Sequence, residues 1–510
     1  MTDASGDATG PKATRREWIG LGVLALPCVI YSMDLNVLFL ALPQIQQELR
    51  PTAGQMLWIV DIYGFLLAGL LVTMGTLGDR IGRRRLLLWG AAAFGAASVL
   101  AAFSTSAEML IASRALLGVT AATLSPSTLS LIRNMFLDER ERATAIGIWV
   151  AAFSAGGMLG PVIGGLMLQW FWWGSVFLLA VPVMALLLIA GPRLLPEFRD
   201  ADAGRQDWPS ALLAIASVLA VIYGMKRIAE HGFGVLPLVF LLAGIVLGWA
   251  FARRQSRIAE PMLDLSLFRV PAFSAALAVN VLSIFIAFGY FLFIAQYFQL
   301  VLGMTPLEAG LWTAPTGLVF VAGAMLAPKL ARRWSLPAVL AGGLALSAVG
   351  FLVLGRIGDL SFAGLMAGYL LFCAGLGPLG ALTTDLVMSA APPERAGAAS
   401  GISETSFEFG GALGIAVLGS LVMALYRHSF AAAAPDGLPA DAIAAASATL
   451  GAAVDVAAGL GAAGDALRHA ARGAYVETMA TAAWLCAALS FAASAAIILS
   501  RRWFAVRRPG

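Results

Sequence analysis

The chain has 510 residues, 60% of them hydrophobic and only 12% charged, with a mean hydropathy of +0.85. No soluble fold of this length can hide that much apolar surface, so a water-soluble protein is excluded and a polytopic membrane protein is implied. A net charge of +4 would point to nucleic acid in a soluble protein, but here the basic residues have another use.

Apolar stretches of about 20 residues, enough to cross a ~30 Å hydrocarbon core as helices, recur fourteen times. They fall at 18–42, 54–77, 86–104, 108–132, 143–168, 173–192, 209–226, 234–252, 272–301, 307–328, 337–355, 361–390, 400–426 and 478–500. No small-residue cleavage site follows the first, so it reads as a retained helix behind a polar tail, 1–17. Of the 33 Lys and Arg residues, 25 fall on the side of the N-terminus, seven on the other, and Arg114 within a span. This bias places both termini, the 501–510 tail included, in the cytoplasm of a cell-membrane protein.

Span 1 carries "CVIYSMDLNVLFLALPQI" with Asp34 at its middle, where a carboxylate is most costly. Span 2 carries "WIVDIYGF", which sets Trp58, Asp61 and Phe65 on one helical face. Two aromatics flanking an acid suit a lipophilic cation, through cation–π attraction and apolar burial; the competing reading is an interfacial tryptophan with Asp61 near the headgroups. The loop that follows reads "GTLGDRIGRRRLLL". Gly78 and Gly82 allow a tight turn, Asp79 can accept from helix N-termini, and Arg80, Arg83, Arg84 and Arg85 anchor the loop.

Arg114 in span 4 needs a partner, since an unpaired arginine at depth costs about 2.5–3.5 kcal/mol on insertion scales. Asp34 is one partner; snorkelling to the outer interface is the alternative. Span 5 carries "GGMLGPVIGG", where Gly156, Gly160, Gly164 and Gly165 permit close helix approach and Pro161 introduces a kink. In span 9, Phe288, Tyr290, Phe293 and Tyr297 are candidates to line a cavity, though an aromatic stripe also serves packing or lipid. Span 13 sets Glu404 and Glu408 one turn apart on one face. Two such close acids away from water cannot easily both ionise, so at least one is expected to hold a proton until a cation displaces it. Segment 427–477, between spans 13 and 14, reads as an outer lid, hairpin or plain surface loop. Cys28, Cys373 and Cys486 lie inside spans and read as packing residues.

Three anchors betray an internal duplication. "LGDRIGRR" matches "LAPKLARR", "ERATAIG" matches "ERAGAASG", and "GGMLGPVIGG" matches "GGALGIAVLG", at offsets of 249, 253 and 254 residues. Two six-helix bundles, 18–192 and 271–500, would then flank two inserted helices, 193–270, with a substrate site near the midplane between the repeats. Positions 404 and 408 align with Val150 and Ser154, so the two acids are no copied structural feature.

With these motifs and the repeat, the chain resembles the major facilitator superfamily, specifically its fourteen-helix drug:proton antiporters and the multidrug exporters among them. The 75–88 loop is similar to that family's motif A, "SRALLGVTAA" (113–122) to motif B, 156–165 to the antiporter motif C, and "MDLNVLFLALPQI" to its span-1 motif. The resemblance implies an all-α fold in a bacterial inner membrane and a monomer without cofactor, driven by the proton motive force. It further implies export of hydrophobic cations such as quaternary ammonium compounds, dyes and fluoroquinolones. Asp34, Arg114, Glu404 and Glu408 would couple protons, and Trp58, Asp61, Phe65, Tyr290, Phe293 and Glu408 would face cargo from a two-sided site. A proton symporter for uptake uses the same scaffold and is the competing reading. An ATP-driven pump finds no support, because none of the three lysines (Lys12, Lys226, Lys329) sits in a phosphate-binding loop, and no enzyme site is evident.

Overall fold

The structure, a computed structural model, describes residues 11–199, 207–258, 261–391, 396–435 and 438–504. The first ten residues, the basic tail beyond 504, and Glu394 and Arg395 of the second repeat anchor lie outside the described residues. Every regular element among them is helical: α1 (Arg15–Leu49), α2 (Ala53–Ile81), α3 (Arg83–Ala102), α4 (Ala107–Met135), α5 (Glu139–Trp170), α6 (Ser175–Leu178), α7 (Ala180–Leu194), α8 (Trp208–His231), α9 (Val235–Gln255), α10 (Pro271–Gln296), α11 (Pro306–Arg333), α12 (Leu336–Leu354), α13 (Phe362–Ala390), α14 (Ala396–Ala433), α15 (Ala440–Ala446), α16 (Leu450–Ala458) and α17 (Ala462–Leu499). Fourteen spans are long and apolar enough to cross a membrane, α6 and α7 forming one of them.

Local chemistry starts these helices. Thr14 with Glu17, Thr52 with Gln55, and Thr305 with Glu308 form capping boxes, each satisfying amides that the first turn leaves open. Gly82, at φ +112°, makes the turn between α2 and α3, and a Cβ there would crowd the Glu197 carboxylate. Helices overrun the apolar spans, because hydropathy marks only the immersed part of a helix. Thus α17 begins at Ala462, well before the expected 478, through an Ala-rich stretch.

Packing repeats itself in the two halves. Helix α5 lies on α1 as α14 lies on α10; α4 on α2 as α13 on α11; α7 on α3 as α17 on α12. The two bundles meet along two seams, α5 against α11 and α2 against α14. Helices α8 and α9 pair with each other, and α8 lies along the second seam, touching both α2 and α14.

An even number of spans puts both termini on one face, the terminal face. Near the opposite, far face the seams are shut. A Cβ on Gly310 of α11 would run into the Pro161 carbonyl oxygen, and one on Gly165 of α5 would lie 2.6 Å from that of Pro306. At the other seam a Cβ on Gly64 would lie 3.0 Å from Ala412 Cβ. The motif C glycines therefore face two ways. Gly156, Gly160 and Gly164 seat α5 on Ser32, Met33 and Val37 of α1, while Pro161 and Gly165 meet the other bundle.

Segment 427–477 is no open loop: α14 runs on to Ala433, and α15, α16 and the start of α17 fold over the far face. Arg472 Nε donates to the Leu300 carbonyl at 2.8 Å, and the Gln46 amide reaches the Thr449 hydroxyl, tying this cover to both bundles.

Candidate transport site

The buried charges decide the site, because charge in a span must be neutralised or used. Helix α4 carries Arg114 inward, fully buried, with Nη1 2.5 Å from Asp34 Oδ2 on α1 and Nε donating to the Ile59 carbonyl at 3.1 Å. Snorkelling is ruled out by that placement. The guanidinium also sits 4.5 Å from the Tyr63 ring centroid. Asp34 lines a narrow crevice inside the first bundle, with Ile30, Phe94, Ser98 and Phe177 among others.

The expected cargo face of span 2 has a different occupant. Lys226 of α8 extends its ammonium to Asp61, 2.7 Å from Oδ2 and 3.0 Å from Oδ1, and lies 3.8 Å from the Trp58 ring centroid. Both charged residues are buried, so the headgroup reading of Asp61 does not hold, and Lys226, one of the seven basic residues counted on the side away from the N-terminus, is turned into the protein. Phe65 packs with Ile222, Ala412 and Ala416. The acid and aromatics are thus satisfied by the protein's own cation.

Glu404 and Glu408 have different company. They project from α14 of the second bundle to hydroxyls of the first: Ser125 of α4 donates to Glu404 Oε1, and Tyr31 of α1 to Glu408 Oε1. Among the described residues neither glutamate has a cationic partner. An aromatic wall adjoins them. Tyr31 packs edge-on against Phe153 at 5.3 Å, and Phe153 against Trp149 at 4.7 Å, while the Trp149 indole donates to Thr128 at 3.1 Å. Contacts also run from Arg114 to Tyr63, from Tyr63 to Tyr31 at 6.4 Å, and from Tyr31 to Glu408, linking the two acidic centres without direct contact.

The partner chemistry separates these acids. Lys and Arg only donate, so protonating Asp34 or Asp61 would leave a buried cation uncompensated. A hydroxyl can donate to a carboxylate or accept from a carboxylic acid, so the Glu404 and Glu408 pairs survive a change of protonation.

Other expectations meet a different structure. Tyr290 and Phe293 are packed among their own neighbours: both are buried in the second bundle, Tyr290 edge-on against Phe351 at 5.2 Å and Phe372 at 6.0 Å. Asp79 accepts from the side chain of Arg83 in its own loop at 2.7 Å, not from a helix N-terminus. Arg84 ties that loop to the end of α7 through the Leu195 carbonyl at 3.0 Å, and Arg80 is exposed, as is fitting for a loop outside the bilayer. Sequence reasoning missed Tyr31, Ser125, Trp149, Phe153 and Lys226. Tyr31 carried a signal, a hydroxyl three residues from Asp34 in an apolar run; the others gain meaning only from tertiary placement.

Two repeated bundles enclosing half-buried acids at their interface define a membrane transporter, not an enzyme. The chain matches the family model described as Major Facilitator Superfamily over residues 24–415. It is 43% identical over 492 residues to the multidrug efflux pump LfrA of Mycolicibacterium smegmatis, covering 96% of this chain and 97% of that one. It is 36% identical over 502 residues to the methyl viologen resistance protein SmvA of Salmonella typhimurium, covering 97% and 99%. A bacterial homolog of the human lysosomal transporter Spinster, solved inward-facing and unoccupied, shares the fold at a TM-score of 0.67 and 17% identity, covering 96% of this chain and 98% of that one. This protein belongs to the Major Facilitator Superfamily.

Proposed function

We propose that the protein is a multidrug exporter that exchanges lipophilic, mostly cationic drugs for protons by alternating access, with the terminal face in the cytoplasm of a bacterial inner membrane. The observation that carries this reading is the pair Glu404 and Glu408, acids at the bundle interface held by hydroxyls rather than cations and set beside Tyr31, Phe153 and Trp149. Such a site accepts either protons or an aromatic-stacking cation, and competition between the two is sufficient for exchange. The export of drugs is supported by the relatives named above, and the orientation by the basic bias of the terminal-face loops. The proton gradient is the energy source and no cofactor takes part.

The test is cationic dye transport by the purified monomer in proteoliposomes under an imposed pH gradient. Dye should accumulate in the acidic lumen when the terminal face is outward, and accumulation should vanish in Glu404→Gln and Glu408→Gln. Accumulation indifferent to the gradient would refute exchange, and accumulation only with the reversed gradient would make the protein a symporter.

A further inference from the structure

A family-like scaffold of two bundles does not explain why an inserted hairpin sends a lysine into the first of them. Burying Lys226 beside Asp61 takes two charges from water, and removing one partner alone would leave the other stranded. The contacts of α8 with its two neighbours differ in kind. Toward α2 they are directional and indented: the ammonium is bracketed by Asp61 and Trp58, and Ile215 fills the groove over Gly69, where a Cβ would collide with its Cγ1. Toward α14 the contact is apolar only: Ile222, with Val218, Leu219 and Met225 beside it, shares a hydrophobic cluster with Phe409, Ala412, Leu413 and Ala416, which Phe65 of α2 also joins. An ion pair with a knob in a groove fixes register, whereas apolar contact is non-directional. Yet α2 and α14 belong to different bundles, and α8 spans the seam between them.

We propose that Lys226 is a positioning residue whose bond to Asp61 clamps the inserted hairpin to the first bundle, so that α8 travels with α2 and slides over α14 as a moving seal on that seam. This rests on the alternating access argued above. It removes Asp61 and Trp58 from the cargo site and assigns them to the clamp. It also explains what the two extra spans do, because a seam that opens and closes within a bilayer needs a cover that stays registered to one side.

Two engineered cysteine pairs test the seal, in a background with Cys28, Cys373 and Cys486 changed to Ala. A Cβ on residue 69 lies 3.7 Å from Ile215 Cβ, inside the disulfide range of about 3.5–4.5 Å, so Gly69→Cys/Ile215→Cys staples α8 to α2. Met158→Cys/Gly317→Cys joins α5 to α11 across the other seam, a Cβ on residue 317 lying 3.5 Å from Met158 Cβ. Oxidising the first pair should leave dye transport within about twofold of the reduced protein, and oxidising the second should cut it at least about tenfold, each read against its own reduced form. A tenfold loss with the first pair overturns the moving seal. No loss with the second pair instead refutes bundle rocking, and with it the proposed function. The clamp is tested in Asp61→Asn/Lys226→Met, which removes both charges of the pair and should elute as a folded monomer. Its transport should fall at least about tenfold and return to within about threefold once the 69–215 disulfide forms. Transport at the wild-type level without the disulfide, or no recovery with it, overturns the role of Lys226.

Discussion

Asp34 and Asp61 differ from Glu404 and Glu408 less in depth than in company. The two aspartates belong to the first bundle and are neutralised by cations the chain itself supplies, Arg114 and Lys226. The two glutamates belong to the second bundle and meet hydroxyls across the interface. An acid with a built-in cation holds the structure together. An acid with a hydroxyl partner can change its charge without breaking its hydrogen bond.

The largest expected effect tests the second half of this comparison. Glu404→Gln and Glu408→Gln keep shape and hydrogen-bond acceptor but lose the ability to charge. Gradient-driven dye transport should fall to the background of empty vesicles, while the melting temperature in detergent stays close to that of the unaltered protein, because the shape and the acceptor for Ser125 or Tyr31 are kept. If both variants unfold early, the glutamates are structural and the distinction collapses.

The first half predicts the reverse pattern. Asp34→Asn leaves Arg114 buried without its counter-ion and should destabilise the protein by about 3–5 kcal/mol, seen as a lower melting temperature or loss of folded monomer. Asp34→Asn/Arg114→Met should recover most of that stability, since neither charge remains. A stable single variant would show that Asp34 is no structural counter-ion.

A smaller effect sharpens the role of the hydroxyls. Tyr31→Phe keeps the ring that packs on Phe153 and removes only the donor to Glu408. Loss of one hydrogen bond to a charged group is worth about 1.5–3 kcal/mol, so dye transport should shift in its pH dependence while the fold persists. An unchanged pH profile would place the proton elsewhere.

How much of this was legible without coordinates depended on whether the bilayer or the tertiary fold set the constraint. The fourteen spans were readable because hydrocarbon forces every span to be apolar and helical, and the contact of Asp34 with Arg114 because each ion is too costly alone. Lys226 was not. As the last residue of an apolar run, a lysine looks like an interfacial anchor, and only the packing of α8 on α2 shows it turned inward. Tyr290 and Phe293 misled for a related reason: an aromatic stripe marks a buried face equally well whether it meets a cavity or, as here, Phe351 and Phe372. The far-face cover was legible only as one of three readings of 427–477, because its helices owe nothing to immersion in lipid.

The mildest prediction compares the two ends of α8. At the far end Lys226 binds the first bundle; at the terminal end Asp207 caps the helix, accepting from the Ser210 amide at 3.2 Å and from Arg254 Nη2 of α9 at 2.9 Å. Burial pushes the Asp207 carboxyl up, but the hydrogen bonds from Ser210 and Arg254 together outweigh it and hold the group below its ordinary value. Because the folded value is the lower one, this stabilisation is present above the unfolded value of about 3.9 and is lost as pH falls through the folded value. Hydrogen exchange in the first turn of α8 should therefore quicken only below about pH 4, and Asp207→Ala should quicken it at neutral pH by about 1 kcal/mol of opening free energy, the usual worth of such a cap. Exchange around Lys226 should stay unchanged in that variant, because the far end is held to a different helix by a different bond. If both ends loosened together, α8 would be a single rigid lever held by α9 and not a helix registered to α2.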